Sequence, residues 1–153
     1  MTVLYLIAAV LIIAADQAVK LWVSSAASVG EVIGGIPHFA ELLYVKNTGA
    51  AFSAFSGKVS ALSVVSVVFC IGVIVYWIAK KPKHPLLKAS VMLMFAGAAG
   101  NAIDRIRLGY VVDYINLKFM NFPVFNIADI SITVGAALLV LYVILFDKDG
   151  KSE

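Results

Sequence analysis

Residues 59–79 read VSALSVVSVVFCIGVIVYWIA, from Val59 to Ala79, without a single charged side chain. A helix of about 20 such residues, rising 1.5 Å each, covers the roughly 30 Å hydrocarbon core of a bilayer. The run is continuous rather than alternating, which favours a helix over a barrel strand. Three further runs have the same character: about Val3 to Val23, interrupted by Asp16 and Lys20; Leu86 to Ile103, with Lys88 near its start; and Phe125 to Phe146.

The whole chain agrees with this reading. Of its 153 residues 62% are hydrophobic and 14% charged, and mean hydropathy is +0.99. Soluble domains sit near about 45–50% apolar and about 25% charged. The expected fold class is therefore all-α integral membrane: four transmembrane helices in one membrane-embedded domain, residues 1–153. The first span should remain as a helix rather than be cleaved. Its start carries no Lys or Arg, and its apolar stretch is long for a signal-peptide core.

Short-loop lysines set the expected orientation. Lys80, Lys81 and Lys83 join spans two and three, with Lys88 just beyond and Pro85 suited to the first helical turn. That loop is expected in the cytoplasm. Lys148 and Lys151 of the tail fall on the same side, so both termini should be cytoplasmic, and residues 24–58 and 104–124 should face outward. Arg105, Arg107 and Lys118 run against the rule. Leu42–Val45 and Val111–Ile115 read as short strands, with Asn47-Thr48-Gly49 as a turn. A small extracytoplasmic β-sheet resting on the membrane is expected. Gly97 and Gly100, among Ala96, Ala98 and Ala99, make span three a close-packing helix.

This topology sorts the nine acids. Asp147, Asp149 and Glu153 lie in the tail, and Glu31 and Glu41 in the first outer segment. Asp16, Asp104, Asp113 and Asp129 all fall near the outer face. An acid in hydrocarbon costs about 2.5–3.5 kcal/mol on insertion scales and usually faces the protein interior. Asp16 and Lys20 stand i, i+4 and can pair. Asp104 suits a brace for the outer loop, and the Arg105 guanidinium suits a lipid phosphate. Asn101-Ala-Ile-Asp104 and Asn126-Ile-Ala-Asp129 share one spacing, which lets each amide orient the carboxylate on its own helix face. Two carboxylates in one site resist joint ionisation, so one stays protonated. Such a pair supplies base and acid together, enough to activate water against a carbonyl. Spacing alone leaves open whether Asp104 or Asp113 partners Asp129.

Competing chemistries have less behind them. Ser53, Ser56, Ser60 and Ser131 have no histidine placed to serve them, and His-Glu-x-x-His is absent. Cys70 is the one cysteine and reads as a small hydrophobe. No metal or other cofactor is expected. A proton- or ion-coupled transporter would want an acid near mid-span, and no span has one. A non-catalytic scaffold using the outer sheet as a docking surface, or simply solvated acids on outer loops, are the remaining alternatives.

Gly100-Asn-Ala-Ile-Asp104-Arg105 with Gly109-Tyr-Val-Val-Asp113-Tyr-Ile115 resembles a motif of bacterial lipoprotein signal peptidase, signal peptidase II. Phe125-Asn-Ile-Ala-Asp129 is similar to that family's final box. Asp16-Gln-Ala-Val-Lys20 and Asn47-Thr-Gly49-Ala-Ala-Phe52 resemble two others. The likeness runs from about residue 5 to 146. It implies an aspartic endopeptidase of the inner membrane that cuts prolipoproteins before a diacylglyceryl-modified cysteine. It implies Asp113 and Asp129 as the catalytic pair. Asp16, Lys20, Asn47, Gly49, Asn101, Asp104, Arg105 and Asn126 are then site-supporting or substrate-meeting. Prolipoproteins and membrane lipids are the implied partners, with no nucleic acid and no required protein partner.

Overall fold

The computed structural model describes residues 2–49 and 59–146. Ala50, Ala51 and Phe52 of the Asn47 box, Ser53, Ser56, and the acids and lysines of the tail lie outside the described residues. The elements run α1 (Thr2–Ala26), β1 (Val32–Ile36), β2 (Ala40–Asn47), α2 (Val59–Lys80), α3 (Pro85–Leu108), β3 (Val111–Leu117) and α4 (Ile127–Phe146). All four helices are long and apolar enough to cross a membrane.

α3 is the central helix and packs against the other three. Its sequence explains this: small residues let neighbours approach where bulky ones would hold them off. A Cβ on Gly97 would collide with the Ala128 carbonyl of α4, and one on Gly100 would fall 2.7 Å from Asp16 Oδ2. α2 is the opposite case, with no buried residue. Its Val- and Ile-rich surface is solvated by lipid. His84 caps α3, its Nδ1 accepting from the Leu86 N–H at 3.3 Å with Pro85 following. α3 runs past Ile103 to Leu108 before the Gly109 N–H closes on the Arg105 carbonyl.

At the end of the bundle away from the lysine-rich α2–α3 connection lies an antiparallel sheet of order β1-β2-β3. Both expected strands are present. β1 was not expected: Val32-Ile-Gly-Gly-Ile36 is short and half glycine-like in its signal, and it forms by pairing with β2 rather than by propensity. In the β2–β3 register Asn47 faces Val111 and Val45 faces Asp113, which sets Asn47 and Asp113 diagonally on one face. Phe125 then bridges Ile115, exchanging N–H···O bonds of 2.8 and 3.1 Å. This bridge ends the extended chain, so α4 begins at Ile127, with Asn126 delivered directly beside β3.

Candidate active site

Asn126 is fully buried and is the N-cap of α4. Its Oδ1 accepts from the Asp129 N–H at 2.9 Å, and its own N–H donates to Asp129 Oδ2 at 3.2 Å. This is a reciprocal capping box, and it fixes the Asp129 side chain at the first turn of the helix. The Asn126 Nδ2 meanwhile donates to Asp113 Oδ1 at 2.7 Å and to Asn101 Oδ1 at 3.1 Å. One residue therefore ties both aspartates together. Asn47 Nδ2 completes Asp113 through Oδ2 at 2.8 Å, while Asn47 Oδ1 accepts from the Gly49 N–H at 2.8 Å. Asn101 Nδ2 completes Asp129 through Oδ1 at 2.8 Å.

The amide of Asn101 thus serves Asp129 across on α4, not Asp104 on its own helix. The shared Asn-x-x-Asp spacing has two outcomes: it works locally at a helix start, where backbone N–H groups are free, and not within a helix end.

Asp16 and Asp104 form a second group. Lys20 Nζ lies 2.9 Å from Asp16 Oδ2, 3.0 Å from Asp104 Oδ2 and 2.9 Å from Asn101 Oδ1. The expected Asp16–Lys20 pair is present, and it reaches two residues of α3. Asp16 Oδ1 also accepts from the Ala128 N–H at 3.0 Å, at the start of α4, where the helix dipole favours an anion. Asp104 Oδ2 accepts from the Val112 N–H at 3.1 Å, next to Asp113. Gln17 was not singled out from sequence. Its Nε2 donates to Asp104 Oδ1 at 3.0 Å, the Gly100 carbonyl at 3.2 Å and Asp16 Oδ2 at 3.3 Å. Its place inside the Asp16–Lys20 box was the available signal. Tyr114 was also missed; its hydroxyl accepts from the Ile127 N–H at 3.4 Å.

Asp113 and Asp129 open onto a cavity of about 530 Å³ that also touches Asn47, Asn101 and Arg105. Apart from Thr133 the rest of its wall is apolar, including Leu117, Met120, Phe122, Val124, Ile130 and Val134. Arg105 is tethered by an Nη2 donation of 3.3 Å to the Gly49 carbonyl. All ten residues singled out from sequence thus converge on one network. Burial pushes the Asp113 carboxyl up to about 7, the Asp129 charge adds to the rise, and the Asn47 and Asn126 amides oppose it. Asp113 therefore keeps its proton well above the ordinary carboxylate range. Each of the eight carboxylate oxygens of Asp16, Asp104, Asp113 and Asp129 already accepts an N–H. Donors aimed at every oxygen suit anions holding hydrogen bonds rather than a cation's ligand shell. Among the described residues, no group of three or more His, Cys, Asp or Glu could hold a metal ion.

The chain's relatives agree with this architecture. A family model described as signal peptidase (SPase) II matches residues 8–145. The lipoprotein signal peptidase of Enterococcus faecalis is 39% identical over 150 residues, covering 97% of this chain and 92% of that protein. That of Streptococcus pyogenes is 41% identical over 139 residues, covering 90% and 91%. A bacterial membrane enzyme solved by the in meso method at 2.3 Å superposes with a TM-score of 0.88 at 32% identity, covering 97% of this chain and 92% of that one.

Proposed function

The chain belongs to the signal peptidase II family, and from that premise we propose that Asp113 and Asp129 are the catalytic pair of an aspartic endopeptidase. It is an integral inner-membrane protease that removes signal peptides from prolipoproteins. In this reading residues 1–153 act as one catalytic unit, and the cut falls just before the diacylglyceryl-cysteine. The lysine-rich α2–α3 connection lies in the cytoplasm with both termini. The sheet and the carboxylates then lie at the extracytoplasmic face.

The observation that carries the catalytic assignment is Asn126, which bonds Asp113 Oδ1 with its side chain and Asp129 Oδ2 with its backbone at the cavity wall. Two buried carboxylates gathered by one residue resist joint ionisation, so one of them carries a proton in this reading. The ionised member takes a proton from water as the oxygen attacks the scissile carbonyl. The protonated member keeps its proton while hydrogen-bonding that carbonyl oxygen, and gives it to the leaving amine as the tetrahedral intermediate collapses; the proton taken from water stays on the other carboxyl. Asp113, protonated up to about pH 7, suits the acid role. The apolar wall keeps the diacylglyceryl tail in a hydrocarbon-like setting while the polar end admits water. No cofactor, nucleic acid or protein partner takes part. An ion path loses its deepest acid, since Asp16 is occupied on both oxygens.

The purified protein in detergent, given a diacylglyceryl-modified prolipoprotein and its unmodified form, should shorten only the modified one, at the bond before the cysteine. Failure to cut it, or equal cutting of both, would overturn the reading.

A further inference from the structure

Lys20 is 2% exposed and lies on α1, away from the cavity wall. Its ammonium has three N–H donors, and three acceptors take them: Asp16 Oδ2, Asp104 Oδ2 and Asn101 Oδ1. The first two contacts neutralise the buried acids. The third is not needed for that.

That third contact has a directional consequence. An ammonium cannot accept a hydrogen bond, so the amide of Asn101 must turn its oxygen toward Lys20. The same oxygen also accepts from Asn126 Nδ2 at 3.1 Å. With both lone pairs taken, the Nδ2 end can only face the other way, onto Asp129 Oδ1 at 2.8 Å. An asparagine amide is nearly symmetric in shape, so packing alone does not choose between its two orientations. The flipped amide would set an oxygen against the Asp129 carboxylate.

Taking Asp113 and Asp129 as the catalytic pair, we propose that Lys20 is a positioning residue for the reaction, which orients the Asn101 amide so that its N–H holds the Asp129 carboxylate. The chain of contact is Lys20 Nζ to Asn101 Oδ1, and Asn101 Nδ2 to Asp129 Oδ1. It spans α1, α3 and α4, so the mutual placement of three helices is read out at one carboxylate oxygen. Lys20 itself does not line the cavity, whereas Asn101 and Asp129 do, so Lys20 acts on the site only through them.

A double-mutant cycle on kcat and KM tests this, using Lys20→Met, Asn101→Ala and the pair, each taken as the monodisperse fraction in detergent. A hydrogen bond to a charged group corresponds to roughly a 10- to 100-fold change. Lys20→Met should lose about that in kcat with KM unchanged, and Asn101→Ala, which also alters the cavity wall, at least as much in kcat. The pair should lose no more than about twofold beyond Asn101→Ala alone, because both changes remove the same bond. Losses in kcat that multiply, or a loss from Lys20→Met that appears in KM, would show that Lys20 serves only the frame and would overturn the proposal. If Lys20→Met does not fold, the cycle is run in the Asp104→Asn background, where Lys20→Met leaves the same net buried charge as the wild type. Failure of that charge-matched protein to fold counts against the proposal too, since Lys20 would then hold the fold rather than an amide. Asp113→Asn and Asp129→Asn run alongside keep the two ideas apart. Turnover by either would sink the catalytic pair itself; two inactive variants with multiplying losses would sink only the role of Lys20.

Discussion

Two pairs of carboxylates lie at the same end of this bundle and are held in different ways. Asp16 and Asp104 share one ammonium, with Lys20 Nζ at 2.9 and 3.0 Å. Asp113 and Asp129 are held by amides: Asn47, Asn101, and Asn126 through both its side chain and its backbone. All four acids are buried or nearly so. An ammonium cancels a buried charge, and its removal leaves an expensive orphan. Neutral amides fix position but leave most of the charge uncancelled. The first pair is therefore settled and holds helices together. The second has a hydrogen bond on every oxygen but only neutral donors in contact, a state suited to moving protons. The contrast supports the proposed division between frame and catalyst.

The sharpest way to break this contrast is to remove one charge from the amide-held pair. Asp113→Asn and Asp129→Asn keep shape and should each cut turnover of a diacylglyceryl-modified prolipoprotein at least roughly 1,000-fold. Gel filtration and circular dichroism should find the variants folded. Retention of a tenth of wild-type turnover by either would place the two pairs on the same footing.

A second effect follows from burial of Asp113. Its carboxyl is raised from 3.8 to about 7. In the unfolded chain the group loses its proton near 3.8, while the folded protein keeps it until about 7. Across that window the folded state binds more protons, so stability falls as pH rises. The penalty is absent below about pH 4 and complete above about pH 7, and it is at most about 4 kcal/mol. Thermal unfolding in detergent at a series of pH values should show the wild type losing stability relative to Asp113→Asn between pH 4 and 7. A flat difference would mean that burial does not raise the Asp113 carboxyl.

How far this was legible in the sequence depends on range. The spans were readable because a run such as Val59–Ala79 has only one comfortable solvent. The gathering of Asp16, Asp104, Asp113 and Asp129 was readable because lysine placement assigns Asp16, Asp104 and Asp129 to the same end of their helices and Asp113 to the connection at that end. The Asp16–Lys20 pair was readable because i, i+4 is local. The division of the acids was not. Lys20 meets Asn101 across 81 positions of sequence, and no spacing rule reaches that far. The same holds for Gln17 on Asp104, 87 positions away. The choice of Asp113 over Asp104 as partner of Asp129 depends on the Ile115–Phe125 bridge, which lays Asn126 against β3. Chemistry alone left that open, and only the family likeness implied Asp113. β1 escaped because its two central glycines weaken a strand signal that β2 supplies by pairing.

Removing a charge from the ammonium-held pair should do least. In Asp104→Asn, Lys20 keeps Asp16, and the remaining Oδ1 can still accept from Lys20 or Val112. The new NH2 faces Gln17, whose Nε2 is also committed to the Gly100 carbonyl at 3.2 Å. Roughly one hydrogen bond is lost, worth about 1–2 kcal/mol, and the protein should melt lower by a few degrees. Turnover should fall less, by about tenfold, because the Val112 N–H that Asp104 anchors at 3.1 Å adjoins Asp113 and lets β3 shift slightly. The unfolding midpoint and kcat, measured beside Asp113→Asn, decide the matter. A kcat for Asp104→Asn as low as that of Asp113→Asn, in a protein of unchanged stability, would reverse the division between the pairs, since an acid that only holds the frame cannot abolish chemistry while leaving the frame intact.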